Sequence, residues 1–255
     1  MALSWPICAV QGRLSRRRGF RGSAPSLRFV LVSAYKSADE SRVIHRANSA
    51  LLLVDVQPDF MPGGALAVRD GDAILSPLAS LLSARRFSVV VATQDWHPPG
   101  HISFASRHAG RKPFDHISIN GHDQGLCPDH CVMGTPGAAL HPRLPEVMID
   151  AIVRKGTHRD VDSYSGFRNN WDETGRRAST GLAGLLRERG ITDVYVSGLA
   201  REVCVKWTAE DAVELGFSTT VIWDLTRAVN PANDERARVA FAKASVRIAE
   251  CGELT

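Results

Sequence analysis

Six side chains in this sequence have the types that chemistry needs: Cys204, Asp55, Lys155, Asp95, His97 and His130. Cys204 lies in the stretch from Val194 to Ala212, which reads as an apolar strand, a small-residue turn at 198–200, and a helix opening close to the cysteine. Ala209, Ala212 and Leu215 continue that helix and Gly216 stops it. A cysteine in the first turn of a helix meets unpaired N–H groups and the positive end of the dipole, which favour the nucleophilic thiolate. Taken alone, Cys204 is a small buried apolar residue, as most free cysteines are. Its company changes that reading. A thiol attacking a carbonyl needs a base to take its proton and a cation to hold the thiolate, roles that Asp55 and Lys155 can fill. Asp95-x-His97, on a loop stiffened by Pro98 and Pro99, offers an oxygen and a nitrogen to a metal, with His130 as the best third ligand. An O,N,N set suits Zn²⁺, Fe²⁺ or Mn²⁺. Cys127 and Cys131 raise a structural zinc site as the second choice, since a C-x3-C pair with one histidine lacks the spacing of zinc ribbons.

Elements that would position these groups follow from the apolar pattern. Runs at 49–54, 87–93, 147–153, 194–199 and 217–223 are apolar on both faces, as central parallel strands are, and 246–249 is a short terminal strand. Helical spacing covers 72–84, with Asp72 as N-cap, then 179–189 and 233–244. Alternating strands and helices predict an α/β fold: an open, mostly parallel sheet with helices on both faces. Ligands in such sheets bind beyond the carboxyl ends of the strands. Asp55, Asp95, Lys155 and Cys204 each stand at or just past one of those ends, and four such residues on one edge make a site.

The 255 residues suffice for one domain with a substantial core. Nine of the 31 Lys and Arg fall in residues 1–46 with only two acids, which leaves 22 basic and 25 acidic residues in the rest. The net charge of +4 therefore belongs to this extension, and the body gives no nucleic-acid signal. Residues 1–46 are Arg- and Ser-rich, the composition of an organellar transit peptide, with a disordered tail or a misplaced start codon as alternatives. No apolar run reaches transmembrane length. Five scattered cysteines point to reduced thiols in a reducing compartment, so a cytoplasmic location is expected, or an organellar one if the extension is a genuine import signal.

Val54-Asp-Val-Gln-Pro-Asp-Phe60, Thr93-Gln-Asp-Trp-His97, Pro128-Asp-His-Cys-Val132, Arg154-Lys-Gly156, Asp162-Ser-Tyr-Ser-Gly-Phe167 and Gly198-Leu-Ala with Cys204-Val205 resemble the nicotinamidase/pyrazinamidase branch of the isochorismatase-like hydrolases. The resemblance runs from about residue 49 to 250. It implies a three-layer α/β/α domain over 47–255 that converts nicotinamide to nicotinate and ammonia, probes such as pyrazinamide included, in NAD salvage. It also implies Cys204 as nucleophile, Asp55 as base and then acid, and Lys155 as their electrostatic partner. Asp95, His97 and His130 would hold a divalent metal, zinc first, that orients the pyridine nitrogen. The N–H groups of Ala200 and Cys204 would form an oxyanion hole beside a cis Leu199–Ala200 peptide, with Phe60 and Tyr164 on the pocket wall. His101, a ligand in some members, is placed outside the ligand set.

Two departures stand out. Arg201-Glu202 replaces the Thr-Asp that commonly precedes the nucleophile, and Cys127 replaces the aromatic residue that commonly precedes Pro-Asp-His. The second bears on substrate identity. It keeps two alternatives open: a same-fold hydrolase of another small amide, and a weakly catalytic binding or regulatory member. A small-molecule amide is the expected partner, with no nucleic acid and no membrane, and self-association is left open.

Overall fold

The computed structural model describes residue 44 and residues 46–254. The expected extension, residues 1–46, lies outside the described residues apart from Ile44 and Arg46. Ten strands and four helices follow in chain order. They are β1 (Ser49–Val54), α1 (Leu75–Ser83), β2 (Val89–Asp95), β3 (His116–Ile119), β4 (His122–Gly125), β5 (Ala151–Lys155), β6 (Arg168–Trp171) and β7 (Arg177–Ser179). Then come α2 (Leu182–Glu188), β8 (Asp193–Leu199), α3 (Lys206–Glu214), β9 (Ser218–Arg227), α4 (Asp234–Lys243) and β10 (Arg247–Ala249).

Six of these strands form one sheet in the order β10-β9-β8-β1-β2-β5, and every pairing within it is parallel. β1 is central and wholly buried. Its side chains alternate between two cores, as a pleat with period two requires. Leu51 and Leu53 pack with Leu75, Leu78 and Leu82 of α1 on one face. Ala50, Leu52 and Val54 pack with Leu182 of α2, Ala209 of α3 and Phe241 of α4 on the other. Helices thus cover both faces, and β1 reads as an unbroken apolar run because neither face meets water.

Several boundaries differ from the sequence reading, each for a local reason. The third strand starts at Ala151 rather than 147, because Glu146–Met148 forms a 3-10 turn after Pro145 that leaves Val147 exposed. The first helix begins as a 3-10 turn over Gly71–Ile74. Asp72 sits inside that turn and does not cap it; the capping position belongs to Asp70, in the left-handed region at φ 54°. Gly181, at φ 92°, delays α2 to Leu182 and frees 177–179 to pair as β7. The long segment before β5 contains the β3–β4 hairpin, and β6–β7 is a second hairpin. Cys204 lies in a π-helical turn, Arg201–Val205, that precedes α3. Among the described residues no helix is long and apolar enough to cross a membrane.

Candidate active site

Sheet register places the first group of side chains. Asp95 and Lys155 are direct partners across β2 and β5. Val54 of β1 pairs with Gly198 of β8, so Asp55 and the turn to Cys204 leave the sheet side by side. This approach requires glycine at 198, where φ is 110° and a Cβ would stand 2.0 Å from the Val54 carbonyl oxygen. The peptide between Leu199 and Ala200 is cis.

Lys155 Nζ is the hub. It lies 2.9 Å from Asp55 Oδ2 and 2.5 Å from Asp95 Oδ1. It also donates to the Ser163 carbonyl at 3.0 Å and stands 3.7 Å from Cys204 Sγ. Thr93 fixes the base: its hydroxyl donates to Asp55 Oδ1 (2.6 Å) and accepts the Asp55 N–H (3.1 Å). Asp55 Oδ2, the carboxylate oxygen that Thr93 does not engage, faces the Lys155 ammonium.

Burial governs the protonation states. It raises the Asp55 pKa, with Lys155 opposing and Asp95 adding to the rise. Burial likewise pushes the Cys204 thiol well up, against Lys155 and with both carboxylates. The expectation of a thiolate favoured by a helix start is therefore corrected, since a π-turn buried among carboxylates favours the neutral thiol. For Asp95 burial also acts upward, but Lys155 and His97 outweigh it and hold the carboxyl well below the usual range. Lys155 resists the downward pull of burial and stays protonated through Asp55 and Asp95.

The second group comes from loops. His97 Nδ1 meets the Gly156 carbonyl at 2.9 Å and His130 Nδ1 meets the Pro128 carbonyl at 2.8 Å. A carbonyl can only accept, so both rings carry a proton on Nδ1 and turn Nε2 inward. Those Nε2 atoms lie 3.5 and 3.8 Å from Asp95 Oδ2. One carboxylate oxygen and two imidazole nitrogens, each imidazole oriented by a backbone carbonyl, form a group that could hold a divalent cation. Gly156 permits this, because a Cβ there would stand 2.3 Å from His97 Cε1. His97, His101 and Asp162 form a further ligand-capable group that the sequence reading did not assemble. His101 spends its Nδ1 on Ser103 and stacks on His97 at 4.1 Å between centroids. Neither Cys127 nor Cys131 joins a ligand-capable group among the described residues, so the second-choice structural zinc site finds no ligands.

All the residues singled out in the sequence converge. Asp95, His97, His130, Phe60, Cys127, Tyr164, Ala200 and Cys204 line one cavity of about 470 Å³, and Asp55 and Lys155 lie beneath its floor. Gln57 was missed as a site residue. Its side chain accepts the Asp95 N–H and donates to the Asp95 and Ala138 carbonyls, all between 2.8 and 2.9 Å. Its sequence signal is an amide three residues after a strand end, inside the Val54–Phe60 motif.

An isochorismatase domain model matches residues 49–251. The chain belongs to the isochorismatase family. Within that family it is 48% identical over 191 residues to a nicotinamidase of Acinetobacter baylyi, covering 75% of this chain and 86% of that one. A Leishmania infantum protein solved in complex with nicotinate superimposes with a TM-score of 0.71 at 38% identity, covering 82% of this chain and 96% of that one. A Pyrococcus horikoshii pyrazinamidase solved in complex with zinc gives a TM-score of 0.65 at 36% identity, covering 80% and 99%. The isochorismatase-family chain described here sits among the nicotinamidase/pyrazinamidase members and is a hydrolase acting on an amide.

Proposed function

We propose that the enzyme hydrolyses nicotinamide to nicotinate and ammonia through a thioester on Cys204, as a step in NAD salvage, and that pyrazinamide is accepted too. The observation that carries this reading is the single ammonium of Lys155 in reach of Asp55, Asp95 and Cys204 at the floor of a cavity sized for a small ligand. Relatives 48% and 46% identical to this chain are named for this activity.

Cys204 starts as a thiol, and Asp55, made more basic by burial, takes its proton as Sγ bonds to the carboxamide carbon. Lys155 offsets the negative charge as it moves between sulfur and carboxylate. The carbonyl oxygen, now an oxyanion, receives the N–H groups of Ala200 and Cys204. Asp55 returns the proton to the amide nitrogen, ammonia leaves, and the thioester remains. Asp55 then removes a proton from water, the hydroxide adds to the thioester carbon, and collapse restores the thiol and frees the carboxylic acid. Asp95, His97 and His130 would hold a divalent metal, zinc first, which supplies a Lewis-acidic position for the ring nitrogen. Phe60 and Tyr164 flank the ring, and Cys127 occupies the wall where relatives commonly carry an aromatic residue.

Residues 47–255 form the hydrolase domain in this reading, and residues 1–46 take no part in the chemistry. Ammonia release from nicotinamide by the purified, metal-loaded protein is the decisive measurement; no release above the buffer rate defeats the proposal. A second reading, hydrolysis of a different small amide, is favoured by Cys127 alone, and it predicts faster turnover of that amide than of nicotinamide.

A further inference from the structure

One aromatic side chain on the cavity wall is left in water. Phe114 lines the cavity that opens onto Cys204, yet it is 69% exposed. Its φ of 73° is left-handed, a conformation that bulky residues seldom take. The Phe114 N–H donates to the Leu126 carbonyl at 2.6 Å, which ties the ring to the segment whose next residue is Cys127. Cys127 is a small group lining the same cavity as Asp95, His97 and His130, where it fills less space than an aromatic side chain would. Leu66, Val68 and Val229 line the same cavity, together with the polar His116, Glu202, Asn230 and Asn233. A cavity of about 470 Å³ exceeds what one six-membered ring with a carboxamide fills, being in the roughly 300–1,000 Å³ range of drug-sized ligands. A small flat substrate flanked by Phe60 and Tyr164 at the floor therefore still needs a third wall to hold it in the attack position.

We propose that Phe114 is that wall: the ring of a flat aromatic carboxamide packs against it in the space Cys127 leaves, and the contact selects aromatic over aliphatic amides. The inference rests on the hydrolytic reading above. An exposed aromatic ring held by its backbone in an unfavourable conformation gains by covering an apolar ligand, since both lose water-facing area.

The functional reading is tested by wild-type ammonia release from nicotinamide; this inference is tested by a ratio of affinities, so the two can fail separately. In the Cys204→Ala background, where nothing turns over, calorimetry gives the nicotinamide Kd with and without Phe114→Ala. A roughly two- to twelve-fold weaker Kd is expected for one lost aromatic contact. Phe114→Tyr should restore it, and Cys127→Trp added to Phe114→Ala should recover part of it by filling the same space. With Cys204 intact, Phe114→Ala should raise KM for nicotinamide by the same factor and shift kcat/KM for isobutyramide by less than about two-fold. Equal Kd values with and without the ring, or equal losses on the aromatic and aliphatic amides, overturn the inference.

Discussion

The two halves of the site are built in different ways. Asp55, Asp95, Lys155 and Cys204 come from the ends of β1, β2 and β5 and from the turn after β8, where the register of a fully parallel sheet sets their spacing. They are buried charges and a buried thiol that satisfy one another. His97, His130, Cys127 and Phe114 come from loops and are held by backbone hydrogen bonds and, for the two histidines, by ring contacts. A change in the first half disturbs the core, whereas a change in the second alters what binds while the sheet stays intact. On the proposed mechanism, this division would let the covalent step be kept while loop residues change what binds.

Four substitutions and one truncation probe that division. Cys204→Ala should drop ammonia release to the detection limit while melting temperature and bound metal stay as in wild type, because only the covalent step is lost. Residual turnover above about one per cent would take Cys204 out of the mechanism. Lys155→Met should stop turnover and also cost roughly 3–5 kcal/mol of stability in urea titrations, since two buried carboxylates lose their shared cation. A stability change under about 1 kcal/mol would mean the strand-end half is not held together by its charges.

The loop half should behave otherwise. His130→Ala should strip bound metal, measured by elemental analysis after dialysis, and weaken nicotinamide binding, with a stability loss in the apo protein well below that of Lys155→Met. Destabilisation equal to that of Lys155→Met would erase the contrast between the halves. Gly156→Ala, which drives a methyl into His97, should lower metal affinity by roughly 10–100-fold, the usual range for an altered supporting contact. The smallest effect is expected from removing residues 1–46: kcat/KM and melting temperature should stay nearly unchanged, because β1 starts at Ser49. A large fall in melting temperature would show that the segment supports the body.

Much of the strand-end half was legible in the sequence because apolar runs and the polar residues that end them are local signals. β1 with Asp55 and β8 with the Cys204 turn were found within a residue or two of their limits. The edge strand β5 was misplaced, since its alternation of half-buried and exposed positions is weaker than a continuous run. Hairpins β3–β4 and β6–β7 were missed because their residues are polar or charged, as at His122-Asp-Gln, and pair through backbone groups rather than apolar faces. The roles of Thr93 and Gln57 were hidden for a different reason. Each is defined by partners 38 residues away, and no local pattern marks a side chain for a distant backbone group.

Gln57 has a consequence for how the fold tolerates change. The β1 backbone turns away at Asp55, whose φ is 49°, so the peptide ladder with β2 should end there. The Gln57 carboxamide, with one acceptor and one donor edge, meets the N–H and carbonyl of Asp95 as a neighbouring peptide group would. It is a prosthetic rung: one side chain standing in for a missing stretch of main chain. Main-chain rungs survive any substitution but proline, whereas this rung is encoded by a single codon. Glutamate at 57 would match its shape and reverse half its polarity, setting an oxygen against the carbonyls of Asp95 and Ala138. The sheet would still close, but the last step of β2, on which Asp95 faces both the lysine and the imidazoles of His97 and His130, would be left without its brace.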